Sequence, residues 1–106
     1  MPTASDIAAS LRASGWKASA VSGMPHTVTG FPQIAYLATT SPSGTQIDLQ
    51  FFATGPQATA EAKAAEKRFH GFHAVAIGDL IAFSHAIGQR ELPASDLTAI
   101  RAAATR

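Results

Sequence analysis

A chain of 106 residues has the length of one domain and can bury a hydrophobic core without metal or disulfide staples. It contains no cysteine, which excludes disulfides, thiolate metal sites and cysteine nucleophiles. Charged residues make up only 14% and the formal net charge is +1, too weak a field to favour nucleic acid, while a surface short of charge leaves apolar area for a protein partner or a second copy.

The N-terminus reads Met1-Pro2-Thr3-Ala4-Ser5-Asp6, with no basic region and no apolar run of signal length. No segment approaches the roughly 20 apolar residues of a membrane-spanning helix, so a cytoplasmic protein without membrane association is expected. Thr3 and Asp6 are placed to cap a first helix, with Ile7, Ala8 and Leu11 on one face. Gly15 fits the position just past its end. In that register Leu11 and Trp16 form the apolar pair of a Schellman ending, and Trp16 is a structural lid rather than a ligand platform.

A short strand is predicted over Lys17 to Val21, followed by a loop with edge-strand character through Met24, Pro25, Gly30 and Pro32. Gln33 to Thr39 and Thr45 to Ala53 read as strands joined by the turn Ser41-Pro42-Ser43-Gly44. Alternation in the second of them puts Ile47, Leu49 and Phe51 on a core face and Asp48, Gln50 and Phe52 on a mixed face turned to solvent or a neighbour.

Gly55 and Pro56 open a second helix, because the N-H that proline lacks has no partner in a first turn. Ala58, Ala62, Ala65 and Phe69 recur at helical spacing as its apolar face, with Glu61, Lys63, Glu66, Lys67 and Arg68 on the solvent side and Gly71 ending it. His73 to Ile77 and Leu80 to Ser84 form a hairpin around Gly78-Asp79, a glycine-first pair suited to a type II′ turn. Pro93, Ser95 and Asp96 head a last helix with Leu97, Ile100 and Ala104 as its stripe and a fraying tail.

The whole chain, 1–106, therefore reads as one α+β domain in the order α-β-β-β-α-β-β-α. A single antiparallel sheet of about four to five strands is packed by two to three helices.

Chemistry is sparse. Most acidic residues have ordinary structural explanations: Asp6 and Asp96 at helix starts, Asp79 in a turn, Glu61 and Glu66 on a helix face. Asp48, inside a strand, and Glu91, just before Pro93, do not. There is no G-x-S-x-G elbow, phosphate loop or dinucleotide fingerprint, so neither an enzyme nor a cofactor is expected. His70, His73 and His85 form the alternative, a small-molecule or metal site in which the hairpin makes His73 and His85 cross-strand neighbours.

Three stretches carry a family resemblance: Asp48-Leu-Gln-Phe-Phe52 before the second helix, Arg68-Phe69 at its end, and Gly78-Asp79-Leu-Ile in the hairpin. With the element order, they resemble the small type III secretion chaperone-like domains, a likeness that implies dimerisation and binding of other proteins. The expected function is thus a non-enzymatic protein-binding module, an adaptor, chaperone or inhibitor and a homodimer. Tyr36, Phe52 and Phe72 are its candidate contact residues, since aromatics dominate interface energetics.

Overall fold

The computed structural model describes residues 2–20, 27–85 and 91–105. Helix α1 (Ala4–Ala13) is followed by β1 (Lys17–Ala20), β2 (Ala35–Thr40), β3 (Gln46–Phe51), helix α2 (Gly55–Arg68), β4 (Ala74–Ile77), β5 (Leu80–Ser84) and helix α3 (Ala94–Ala104). The strands form one antiparallel sheet in the order β1-β2-β3-β5-β4. The order of elements and the α+β class match the sequence-based expectation.

Local chemistry accounts for the ends of these elements. Thr3 and Asp6 form the reciprocal capping box of α1. At its other end Gly15 has φ +87°, Trp16 N-H donates to Leu11 C=O at 3.0 Å and Gly15 N-H to Arg12 C=O at 3.1 Å, the paired bonds of a Schellman ending. Gly78, at φ +59°, opens the β4–β5 turn while Asp79 keeps a negative φ, which fits type II′ and excludes I′. The β2–β3 turn closes where Gly44 N-H donates to Ser41 C=O at 2.9 Å. Met24, Pro25 and Val21, assigned above to a loop and a strand end, lie outside the described residues.

Strand alternation gives the sheet two buried faces. On one, Leu37, Ile47, Leu49, Phe51, Leu80 and Ala82 pack against Ile7 and Leu11 of α1 and Ile100, Ala103 and Ala104 of α3, with Trp16 closing the edge. The tail expected to fray is therefore helical and buried through Ala104, because Ala103 and Ala104 find core contacts. On the other face Phe52, Ile81 and Ala74 meet Ala58 and Ala62 of α2. Alanine lets that helix lie close to the strands, and Gly55 approaches the hairpin turn so tightly that a Cβ there would meet the Gly78 carbonyl oxygen at 3.3 Å.

Of the two alternatives for the mixed face of β3, solvent or a neighbour, the fold takes the second: Asp48, Gln50 and Phe52 are all buried. On α2 the apolar stripe ends at Ala65, since the helix stops at Arg68 and Phe69 is 50% exposed, while Glu61, expected in solvent, is 2% exposed. Among the described residues no helix is long and apolar enough to cross a membrane.

Candidate functional site

Helix α2 covers the β5–β4 end of its sheet face, and among the described residues no helix covers the β1–β2–β3 end. The strand register orders that open area into rows. Lys17, Thr40 and Gln46 lie side by side on β1, β2 and β3, and His85, just past β5, joins them by donating its N-H to the Gln46 carbonyl at 3.0 Å. The next row is Ser19, Ala38, Asp48 and Phe83. Ser19 and Ala38 are short, so the surface sinks between their taller neighbours into a depression of about 370 Å³ lined by Lys17, Ser19, Tyr36, Ala38, Thr40, Gln46, Asp48 and His85 among others. That volume lies at the small end of the range for small-molecule sites, roughly 300–1,000 Å³.

Asp48 is the centre of this site. It is 6% exposed, and burying a carboxylate is costly unless donors replace its water. His85 does so, its Nδ1 2.9 Å from Asp48 Oδ2, and the Tyr36 hydroxyl lies near the same carboxylate. Burial, reinforced by the Asp48 hydrogen bond and charge, pushes the Tyr36 phenol well above its ordinary range and keeps it neutral and donating. The hydrogen bond to Asp48, then its charge, raises the His85 pKa above 6.5. With Nδ1 committed to Asp48, the exposed imidazole keeps Nε2 for solvent or a ligand.

The raised His85 value carries a sign for stability. A histidine that gains an anionic partner on folding contributes in full below its unfolded value of 6.5, and the contribution is lost as pH rises through the higher folded value. Its side chain is 61% exposed, so screening holds the effect to about 0.5 kcal/mol. His85→Gln should match the parent chain in urea denaturation at alkaline pH and fall below it by that amount in mild acid. A difference that does not change with pH would show that the pair adds nothing by charge.

The residues singled out from sequence have different fates. Tyr36 is buried at the site, its hydroxyl near Asp48. Phe52 is 0% exposed inside the α2 core and presents no surface to a partner. Phe72 is half-buried, its ring centroid 6.0 Å from that of Phe69 and 5.2 Å from that of Phe83, an aromatic row closing the end of α2. His70 and His73 are exposed on either side of Gly71; the β4–β5 register, which pairs Ala74 with Phe83, leaves His73 one position out of step with His85, whose imidazole meets Asp48 of β3. The three imidazoles are not gathered: among the described residues no group of three His, Cys, Asp or Glu side chains is placed to hold a metal ion. Glu91 is exposed.

Sequence reasoning missed Glu61. From α2 its carboxylate accepts from Val28 N-H at 2.8 Å, Thr29 N-H at 3.0 Å and the Thr29 hydroxyl at 2.7 Å. Residues 27–31 are thereby strapped over α2, beside a smaller hollow of about 170 Å³ lined by Val28, Gln50, Glu61, Phe69, Phe72 and Phe83 among others.

Comparison with protein-family models, with curated proteins and with solved structures finds no match for this chain.

Proposed function

We propose that this chain is a non-enzymatic binding domain that takes a small ligand on the open end of its sheet, over Tyr36, Asp48 and His85. The observation that carries this reading is a buried carboxylate, held by a histidine and close to a tyrosine hydroxyl, at the floor of a depression of ligand size. A core position on β3 would be filled more cheaply by a hydrophobic side chain, so a carboxylate with fixed partners there has a use beyond packing. Asp48 holds the imidazole through Nδ1, and Lys17, Ser19, Thr40 and Gln46 ring it with donors. This reading keeps the histidine alternative but moves it from His70, His73 and His85 to Tyr36, Asp48 and His85.

A second reading, the protein-binding module, rests on other side chains. Ile34 is 62% exposed, Phe69 50% and Phe31 36%, large apolar groups on the β1–β2 connection and at the end of α2. Single exposed apolar side chains are common, whereas aromatic and aliphatic anchors of this size are what a partner or second copy would cover. The resemblance to chaperone-like domains in 48–52, 68–69 and 78–81 is in keeping with it.

One experiment separates the two. Backbone amide NMR spectra are recorded against a fragment set of mixed charge, then as a dilution series of the protein alone. Fragment-induced shifts centred on Lys17, Thr40, Gln46 and His85, weakened by up to about fivefold by His85→Gln as loss of an exposed charged contact requires, are expected. Fragments that leave these residues unmoved would sink the ligand reading. Dilution shifts gathered at Phe31, Ile34 and Phe69 would establish self-association through the second surface.

A further inference from the structure

We infer that the ligand of this depression is a small organic anion bearing a carboxylate, an assignment that rests on the binding-site reading above and names the class of molecule it takes. The warrant is the distribution of charge along the rows. Among the described residues the only acid lining the depression is Asp48, which is buried, already engaged by His85 and close to the Tyr36 hydroxyl. The groups at the rim are of the opposite kind: Lys17 at the β1 end, His85 at the β5 end, and the Thr40 hydroxyl and Gln46 amide between them in the same row.

With His85 protonated, the two cations among the described lining residues outnumber the one buried carboxylate, and those residues carry a net positive charge. Tyr36, the other titratable side chain among the described lining residues, is neutral. Asp48 therefore acts as a counter-charge that favours the protonated imidazole and orients it, and the ligand meets the imidazole and the ammonium. Three interstrand spacings separate the two ends of the row, about 14 Å between backbones, which the long lysine side chain shortens. An extended molecule of a few carbons with an anionic end at His85 and a second polar or anionic end toward Lys17 fits this span.

The test uses three probes of one shape: glutarate, its neutral diamide, and 1,5-diaminopentane. Each is titrated into the intact chain at mildly acidic pH and followed by amide NMR. Glutarate is expected to shift Lys17, Thr40, Gln46 and His85 and to bind about tenfold more tightly than the diamide. Lys17→Met and His85→Gln should each weaken it by up to about fivefold, the upper end for an exposed ion pair. Lys17 is exposed on an edge strand, so its variant folds and reports on charge alone. If the diamide or the diamine binds these residues in preference to glutarate, the ligand class is wrong and the binding site stands. Should none of the three move them, the depression is not a binding site and both conclusions fall.

Discussion

Phe52→Ala is expected to cost about 3–5 kcal/mol of folding stability, a large part of the roughly 5–15 kcal/mol that holds a domain of this size together. Phe52 follows β3 directly and is 0% exposed. Its N-H donates to the Asp79 carbonyl at 2.7 Å, so the backbone is pinned to the β4–β5 turn and does not follow a shrinking side chain. The ring's neighbours on α2 are the methyl groups of Ala58 and Ala62, which have no length with which to fill a vacated space. Sites that cannot collapse lose most on truncation, which places the variant toward the upper end of the range. Phe69→Ala is the natural contrast. That ring is 50% exposed and keeps only edge contact with Phe72 and the Arg68 guanidinium beside it, so the loss should stay below about 1 kcal/mol. Urea denaturation of both variants decides the matter, and a reversed ranking would show that α2 packs through a different face.

The contrast also marks the limit of what periodicity could say about α2. Ala58, Ala62, Ala65 and Phe69 share one helical face on paper, but the helix stops at Arg68 and leaves Phe69 beyond its last turn. Signals confined to a few neighbouring residues were legible: the Gly15 and Trp16 ending of α1, the Gly78-Asp79 turn and the Ser41 to Gly44 turn are each set by local sterics and local hydrogen bonds. The candidate site was legible only in fragments. Asp48 stands out in sequence as an acid without a structural reason, His85 as a candidate metal or small-molecule ligand and Tyr36 as a candidate protein-contact residue. Nothing local joins them, because Asp48 and His85 are 37 positions apart and meet only through the pairing of β3 with β5 rather than β4. A sequence that predicts five strands does not by itself state their order. Once that order is known, the register brings all three together, and it separates His73 from His85 by the same rule.

Glu61→Ala is expected to release residues 27–31 and to cost about 2–4 kcal/mol, the second large effect. A charged residue on an amphipathic helix reads as solvated, and the groups that bury this one lie 32 and 33 positions upstream in a stretch with no periodic pattern. In the fold its carboxylate is 2% exposed and accepts three hydrogen bonds, from two adjacent backbone amides and a hydroxyl. Hydrogen bonds to a charged group are each worth about 1.5–3 kcal/mol, and the sum is reduced because the freed strap regains water. Thr29 extends the network, its hydroxyl accepting from Phe31 N-H at 3.2 Å, while the Thr27 hydroxyl donates to the Phe31 carbonyl at 3.0 Å. The strap is thus held at one point on α2 and tied internally around it. Glu61→Gln separates charge from shape: one amide oxygen still accepts from Thr29, but the NH2 group now faces the Val28 N-H, donor against donor, and a loss of about 1–2 kcal/mol is expected. The direct readout is hydrogen exchange at the Val28 and Thr29 amides, which should accelerate in both variants and more in the alanine one, while β3 and β5 amides follow only the change in global stability. Unchanged protection at Val28 and Thr29 would mean that Glu61 is not the anchor of the strap.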